Sequence, residues 1–393
     1  MTNPTSIILV GVGGFGAIHA ETLLDNKAPG VHLVAVIDPY AKNSRIYDRI
    51  NGSIPIYNQL EDFYATGQTA DLVFISSPHF LHYKHCLAAL AGGSHVLCEK
   101  PLVPTMDEFI KLEQKFTAAG KTLSVAFQWC YSEIILALKA RILAGELGRP
   151  VFFKGLTSWP RVWKYYKRNN WAGRVTMDDG QPVHDSVVSN ACAHHIQNML
   201  FLLGSTMEDS ANLQNTYVET YRANDIQSFD TCALRGEVGG AKMMFIASHA
   251  TNYHLDPIMR YELEKAVIMV NVYDRESVCT IHHHDGRVER LGPAIGDGMV
   301  NKFTYTAKAI RGEGDYVCTL RTVKPFTTLI DAIFSQVPTH PFPKSHVVIN
   351  SEEERTYIPQ LHLQLTDCFN HGQLPSEMGL TWANAPTLLT PNI

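Results

Sequence analysis

Ser6-Ile7-Ile8-Leu9-Val10-Gly11-Val12-Gly13-Gly14-Phe15-Gly16 decides how the N-terminal third of this chain folds. An apolar strand runs straight into G-x-G-x-x-G, and a helical pattern follows. Gly11 permits the tight strand-to-helix turn, Gly13 lets the backbone approach a pyrophosphate, and Gly16 lets the helix pack closely on the strand. Gly14 and Phe15 complete the loop. The N-terminus of the following helix offers unpaired N–H groups and a partial positive charge, which suit a diphosphate. A second apolar run, His32-Leu33-Val34-Ala35-Val36-Ile37, ends at Asp38, 22 positions after Gly16. A carboxylate there accepts bonds from ribose hydroxyls and repels a 2′-phosphate. The expected cofactor is NAD(H) rather than NADP(H), with nearby Arg45 weighing slightly the other way.

Strands expected at 6–10, 32–38, 71–76, 94–98 and 122–127 alternate with helical stretches at 16–25, 80–91 and 105–119. This alternation predicts a doubly wound parallel sheet, the Rossmann arrangement, which binds ligands at the carboxyl ends of its strands. Gly11, Asp38, Ser76-Ser77-Pro78 and Glu99-Lys100-Pro101 all fall at such ends. The remainder reads as strands at 151–157, 213–221, 241–250, 261–270, 277–284 and 287–291, with Asp285-Gly286 as a hairpin turn. Helices are expected near 133–145, 187–203, 321–336 and 353–370, and the Pro-rich run 338–343 reads as a loop. The expected organisation is a dinucleotide-binding domain over 1–130 and an α+β domain with an open, mostly antiparallel sheet over 131–393.

The chain has 393 residues, 45% of them apolar, enough for two cores. Its formal net charge of −5 contains no long run of one sign, which argues against nucleic acid and anionic membrane surfaces as partners. No apolar stretch is long enough to cross a bilayer. Met1-Thr2-Asn3-Pro4-Thr5 leads directly into the first strand without a signal-peptide pattern, so a cytoplasmic location is expected. The eight cysteines are scattered without C-x-x-C and read as free thiols in a reducing compartment. In His282-His283-His284, alternate strand positions point to opposite faces, and no further ligand completes a set. No metal is expected.

The G-x-G-x-x-G loop, Glu99-Lys100-Pro101, Ala144-Gly145-Glu146-Leu147-Gly148-Arg149-Pro150-Val151 and Ser77-Pro78-His79-Phe80-Leu81-His82 together resemble the Gfo/Idh/MocA family, named for glucose–fructose oxidoreductase, inositol dehydrogenase and relatives. The resemblance is strong over 1–160 and looser beyond. It implies hydride transfer between a nicotinamide and a carbohydrate or similar polyol. It also implies a homodimer or homotetramer formed through the second domain's sheet. Lys100 inherits contact with the reacting hydroxyl or carbonyl, Glu99 a place near the nicotinamide ribose, and Ser77, Pro78 and His82 a place in the cofactor site. Pro101 is a candidate for a cis peptide. The family's D-x-G-x-H-x-x-D segment corresponds to Asn190-Ala191-Cys192-Ala193-His194-His195-Ile196-Gln197. His194 matches, but Asn190 replaces the aspartate and cannot exchange a proton.

Oxidising an alcohol requires removal of the hydroxyl proton as hydride leaves carbon. Lys100 suits this role if burial and the positive nicotinamide lower its pKa. His194 is the second acid–base candidate. Asn190 can orient substrate from the same helix face as His194. Gln128, just after the strand 122–127, and Trp171 are further substrate-binding candidates. The segment Trp159-Pro160-Arg161-Val162-Trp163-Lys164-Tyr165-Tyr166 joins aromatic faces to cations, which suits sugars or acidic sugars, and Asp185 could replace the missing carboxylate. Two alternatives remain open: a glycoside-cleaving enzyme that uses NAD without net redox change, and a non-catalytic NAD-binding regulator.

Overall fold

The computed structural model describes residues 3–271 and 278–390. The chain divides into two compact units: Met1–Glu133 with Asp297–Thr327, and Ile134–Gly296 with Thr328–Ile393.

In the first unit, β1 (Thr5–Val10), β2 (Val31–Ile37), β3 (Ile56–Tyr57), β4 (Leu72–Ile75), β5 (His95–Cys98) and β6 (Leu123–Val125) form one sheet in the order β3-β2-β1-β4-β5-β6. All neighbouring strands are parallel. Ile7, Ile8, Leu9 and the whole of β4 are completely buried, as expected where helices cover both faces of a parallel sheet. The strand order reverses between β1 and β4, so the crevice for a ligand opens at their carboxyl ends. The helices Phe15–Leu24, His82–Ala91 and Met106–Ala118 lie within a few residues of their expected positions. The last begins at Thr105, whose hydroxyl accepts from the Glu108 N–H at 3.3 Å.

Parts of this unit were not expected from the sequence, among them the short helices Tyr47–Ile50 and Leu60–Ala65. The two-residue β3 is too short to show a period. The helix Gly298–Ile310 lies far along the chain, yet Asp297–Thr327 groups with the N-terminal residues. Val125 N–H donates to Cys318 C=O at 2.7 Å, and Lys324 pairs with Glu113 at 2.9 Å.

The second unit is built on β7 (Pro150–Ser158), β8 (Gln214–Arg222), β9 (Thr231–Val238), β10 (Ala241–Ser248), β11 (Leu255–Leu263), β12 (Ala266–Asn271), β13 (Val278–His283), β14 (Val288–Pro293) and β15 (Thr339–Pro341). Their order is β14-β13-β12-β11-β7-β10-β9-β8-β15, antiparallel except for the pairs β7/β10 and β8/β15. Residues of β10 alternate between two cores. Met244 and Ile246 pack with Leu156, Phe342, Leu361, Leu365 and Trp382, whereas the Phe245 ring stacks 6.3 Å from His195 on the helix Ala193–Leu202. The central strands are thus buried on both faces. In the wing β11–β14, burial alternates and leaves one side half-exposed.

Several expectations for this unit change. The strand expected at 261–270 is a hairpin, because the charged pair Glu264-Lys265 turns the chain between β11 and β12. β9 was not expected; Gly239 and Gly240, both at positive φ, form its turn into β10 and were the available signal. The helix expected at 353–370 is a strand, Arg355–Tyr357, and then a helix, Leu361–His371, with Pro359 between them. Part of the 338–343 loop is β15, an edge strand that tolerates its one proline, Pro341. The helix expected at 187–203 divides into a π-turn, Val187–Ala191, and an α-helix, Ala193–Leu202, at Cys192. The expected start of a strand at Ser277 lies outside the described residues; β13 begins at Val278. All eight cysteines are buried free thiols.

The glycine loop supplies a direct test of packing. A Cβ on Gly16 would stand 2.2 Å from the Gly11 carbonyl oxygen, which is backbone and cannot swing aside. A Cβ on Gly13 meets nothing within 4 Å. Gly16→Ala should therefore lower the melting temperature by several degrees, as overpacking costs about 1–3 kcal/mol. Gly13→Ala should leave the melting temperature of the cofactor-free protein unchanged. A thermal melt of both variants checks this.

Candidate dinucleotide and catalytic site

The four carboxyl-terminal strand ends of the first unit carry the expected groups. Gly11, at φ 86°, carries the chain out of β1, and a Cβ there would meet Ser76 C=O at 2.8 Å. Gly14 precedes the first helix without a side-chain cap, so no side chain satisfies the helix N–H groups. Phe15 is 51% exposed beside this loop, an unusual placement for a large apolar ring. At the end of β2, Asp38 Oδ2 accepts from Val12 N–H at 2.9 Å and Oδ1 from Tyr40 N–H at 2.8 Å. These bonds fix the carboxylate against the glycine loop. Arg45 pairs with Glu21 at 2.9 Å on the surface. Open space at Gly13, an uncapped helix N-terminus and a fixed acid fit a dinucleotide.

Ser77 and Pro78 follow β4. Ser77 Oγ lies 2.9 Å from His85 Nδ1. His82 is enclosed: Nε2 faces Ser77 C=O at 2.9 Å, and Nδ1 faces Pro101 C=O at 2.9 Å. Both ring nitrogens face main-chain carbonyls, so His82 ties the β4 and β5 ends together.

Glu99 stands at the end of β5. It is 8% exposed, and protein donors hold both carboxylate oxygens. Oε1 accepts from His19 Nε2 at 3.0 Å and from Lys302 Nζ at 2.9 Å; Oε2 accepts from Lys100 N–H at 3.1 Å. Lys302 and the positioned His19 hold the Glu99 carboxyl well below the usual carboxylate range despite the opposing cost of burial. Burial lowers His19 to about 4, with the Lys302 charge adding to the effect. Phe74 and Phe303 enclose the cluster, with ring centroids 4.8 and 5.9 Å from that of His19. The next residue, Lys100, is half-buried and precedes a cis peptide to Pro101. Gln128 also lies in this unit, in a short turn after β6. His19 and Lys302 were missed from sequence. His19, three positions after Gly16 and on its buried helix face, was the available signal; Lys302 gave none.

In the second unit, Ser186 and Ser189 cap the π-turn reciprocally at 3.1 and 2.8 Å. Such turns recur at functional sites. Asn190 lies within this turn, Val187–Ala191, and His194 lies in the first turn of the helix beyond Cys192, so the two do not share one continuous helix face. Asn190 Nδ2 donates to Asp185 Oδ1 at 2.8 Å, and Asp185 Oδ2 accepts from Gly173 N–H at 2.6 Å. A carboxylate does stand beside Asn190. His195 is 2% exposed among Trp159 and Phe245, a core position. Trp171 is half-buried, 5.2 Å from the Arg168 guanidinium. His283 binds Glu289 in a hairpin, and no group of three or more potential ligands able to hold a metal occurs among the described residues.

Comparison with known proteins agrees with this geometry. Residues 5–127 match the oxidoreductase family with an NAD-binding Rossmann fold. These residues carry the match to the family that the sequence motifs resemble. It is 28% identical over 159 residues to scyllo-inositol 2-dehydrogenase (NAD(+)) of Bacillus subtilis, covering 40% of this chain and 45% of the relative. It is 29% identical over 146 residues to glucose-6-phosphate 3-dehydrogenase of the same organism, covering 37% and 40%. The chain thus spans about half the length of the curated relatives it matches. The fold extends further. An Agrobacterium radiobacter oxidoreductase solved with NAD+, L-tartaric acid and magnesium aligns over 84% of this chain and 95% of its own, with TM-score 0.69 and 15% identity. The WlbA dehydrogenase from Chromobacterium violaceum, solved with NADH and UDP-GlcNAcA, aligns over 84% and 92%, with TM-score 0.69 and 21% identity.

The buried neutral imidazole has a pH signature. Below about pH 6.5 the unfolded chain protonates His19, whereas the folded chain resists until about 4. Stability from this residue is full above that window and falls as pH drops through it, with a slope of about 1.4 kcal/mol per pH unit. His85, also lowered to about 4 by burial, adds a similar slope. Urea titrations between pH 7 and 4 should show this loss, and His19→Gln, which keeps a donor to Glu99, should flatten it by about one proton.

Proposed function

We propose that this protein is an NAD(H)-dependent oxidoreductase that transfers hydride between the nicotinamide and a hydroxyl-bearing carbon of a carbohydrate or polyol. The observation that carries this reading is Lys100, placed at the end of β5 in the same sheet whose β1 end forms the dinucleotide loop. Bound NAD(H) supplies the hydride acceptor or donor. Lys100 removes or returns the hydroxyl proton at Nζ. Glu99 holds the Lys100 main chain, so the amine is presented from a fixed strand end. His194 is the second acid–base group, and Asn190, Gln128 and Trp171 orient the substrate. Asp38 favours NAD(H) over NADP(H). The curated relatives named as inositol and sugar-phosphate dehydrogenases support the substrate class.

NADH formation should appear with NAD and a panel of polyols, aldoses, uronic acids and glycosides, and should be weaker with NADP. Lys100→Ala should lower turnover by about 10²-fold or more while leaving NADH binding intact. Unchanged turnover would remove Lys100 from the mechanism. Product release from a glycoside without net NADH would favour bond cleavage by transient oxidation.

The half-exposed side of β11–β14 is the surface we assign to self-association, as a homodimer or homotetramer. Light scattering during gel filtration should give a mass of two or four chains, and a single-chain mass would refute the assignment.

A further inference from the structure

One residue of the first unit, Ser77, is held at both its carbonyl and its hydroxyl by a single helix. Ser77 stands just after β4, where the strand order reverses. A Cβ on Gly11 would lie 2.9 Å from Ser77 N, so Ser77 abuts the glycine loop. His82 and His85, three positions apart on the helix His82–Ala91, share a face and both reach it. His82 Nε2 faces the Ser77 carbonyl at 2.9 Å, and His85 Nδ1 lies 2.9 Å from the Ser77 hydroxyl oxygen. A serine just before a helical start commonly caps it. Here neither the turn His79–Leu81 nor the helix His82–Ala91 takes a side-chain cap, and the hydroxyl goes to His85 instead. Ser77 and His85 are both half-buried, outside the core.

The chemistry of the pair follows from its protonation. Burial, with the charges of His82 and Lys84 adding to it, lowers His85 to about 4, so its ring is neutral at pH 7. A neutral imidazole has one N–H and one lone pair, and a hydroxyl has one proton and two lone pairs. The imidazole nitrogen is the better acceptor of the two, so the Ser77 O–H donates to Nδ1, as in other hydrogen-bonded Ser–His pairs. Ser77 Oγ is left with lone pairs only, aimed by a fixed bond. Phosphate oxygens are acceptors as well. Oγ therefore suits a hydroxyl or amide donor and not a pyrophosphate. Sheet order supplies the direction. Asp38 at the end of β2 and Ser77 at the end of β4 lie on opposite sides of β1. A dinucleotide whose adenosine ribose meets Asp38, and whose pyrophosphate crosses the β1 loop, carries its nicotinamide riboside over β4.

We infer that His85 is a positioning residue of the dinucleotide site, holding the Ser77 hydroxyl oxygen to accept from a donor on the nicotinamide riboside half of NAD(H). This rests on the NAD(H) part of the reading above and needs no turnover to test. Calorimetry of the whole chain with NADH, ADP-ribose and ADP reads it directly. Ser77→Ala and His85→Phe should each weaken NADH binding about three- to tenfold, the worth of one hydrogen bond. The double variant should lose no more than the weaker of the two, because both changes remove the same bond. His85→Asn, whose Oδ1 stands near the place of Nδ1, should restore affinity to within about twofold of wild type. ADP, which lacks the riboside, should bind all variants equally. An equal loss for ADP-ribose assigns the donor to a ribose hydroxyl, and a loss confined to NADH assigns it to the carboxamide; both uphold the pair. Unchanged NADH affinity in His85→Phe overturns the inference, as do effects that multiply in the double variant or a loss that extends to ADP. A wild type that binds no NADH overturns this inference and the cofactor reading together. NADH binding that ignores His85 overturns this inference alone.

Discussion

The buried Glu99 carboxylate is the constraint on which the first unit depends. It joins three segments distant in sequence: the first helix through His19, the end of β5 through its own backbone, and the helix Gly298–Ile310 through Lys302. Removing a carboxylate and an ammonium from water costs several kcal/mol per ion, and their attraction offsets this only with close geometry and full hydrogen bonding. Here the carboxylate has three donors, at 2.9 to 3.1 Å, and Lys302 Nζ lies near two aromatic faces, 5.1 and 5.5 Å from the Phe74 and Phe303 centroids. Loss of either partner would strand a charge in the core. The pair therefore selects one arrangement of helix, strand end and distant segment, and Lys100 follows directly from that arrangement.

His82 applies the same principle without a formal charge pair. It bridges Ser77 to Pro101, so the chain leaving β4 and the chain leaving β5 cannot move independently. Polar groups that the sequence offers as ligands are thus divided by burial into two classes. Asp38 and Lys100 stay half-exposed at their strand ends. His19, His82 and Glu99 are spent on holding those positions.

Legibility from the sequence followed the range of the interactions. The first sheet was readable because each strand is a continuous apolar run and each ligand-facing group stands immediately after one. The glycine loop, Asp38 and Lys100 are consequences of local order. The second sheet was less readable because tight turns between neighbouring interior strands are hard to see in continuous stretches of sequence. Glu264-Lys265 turns a run that otherwise looks continuous, and the Gly239-Gly240 turn between β9 and β10 was overlooked. Lys302 was invisible: a lysine on a helix normally reads as a solvated charge, and its burial is dictated by a glutamate about two hundred residues earlier. Motifs report where chemistry can occur, but the buried partners that fix its geometry come from tertiary packing.

Asn190 shows how a single changed residue can alter the division of labour without removing the group it replaces. An amide cannot exchange a proton, and its NH2 side must face an ionised carboxylate. The 2.8 Å contact to Asp185 therefore orients the Asn190 amide and turns Oδ1 away from that carboxylate. Asp185 is itself held by the Gly173 N–H, so the pair forms a fixed dipole and not a proton relay. On the proposed reaction, charge change then falls to Lys100 and His194, whose neutral forms are bases. Orientation falls to groups whose charge does not change: the Asn190 and Gln128 amides and the Trp171 ring. Proton transfer and substrate selection are thereby assigned to different side chains, and substitution of the second set should change what is bound before it changes how the proton moves.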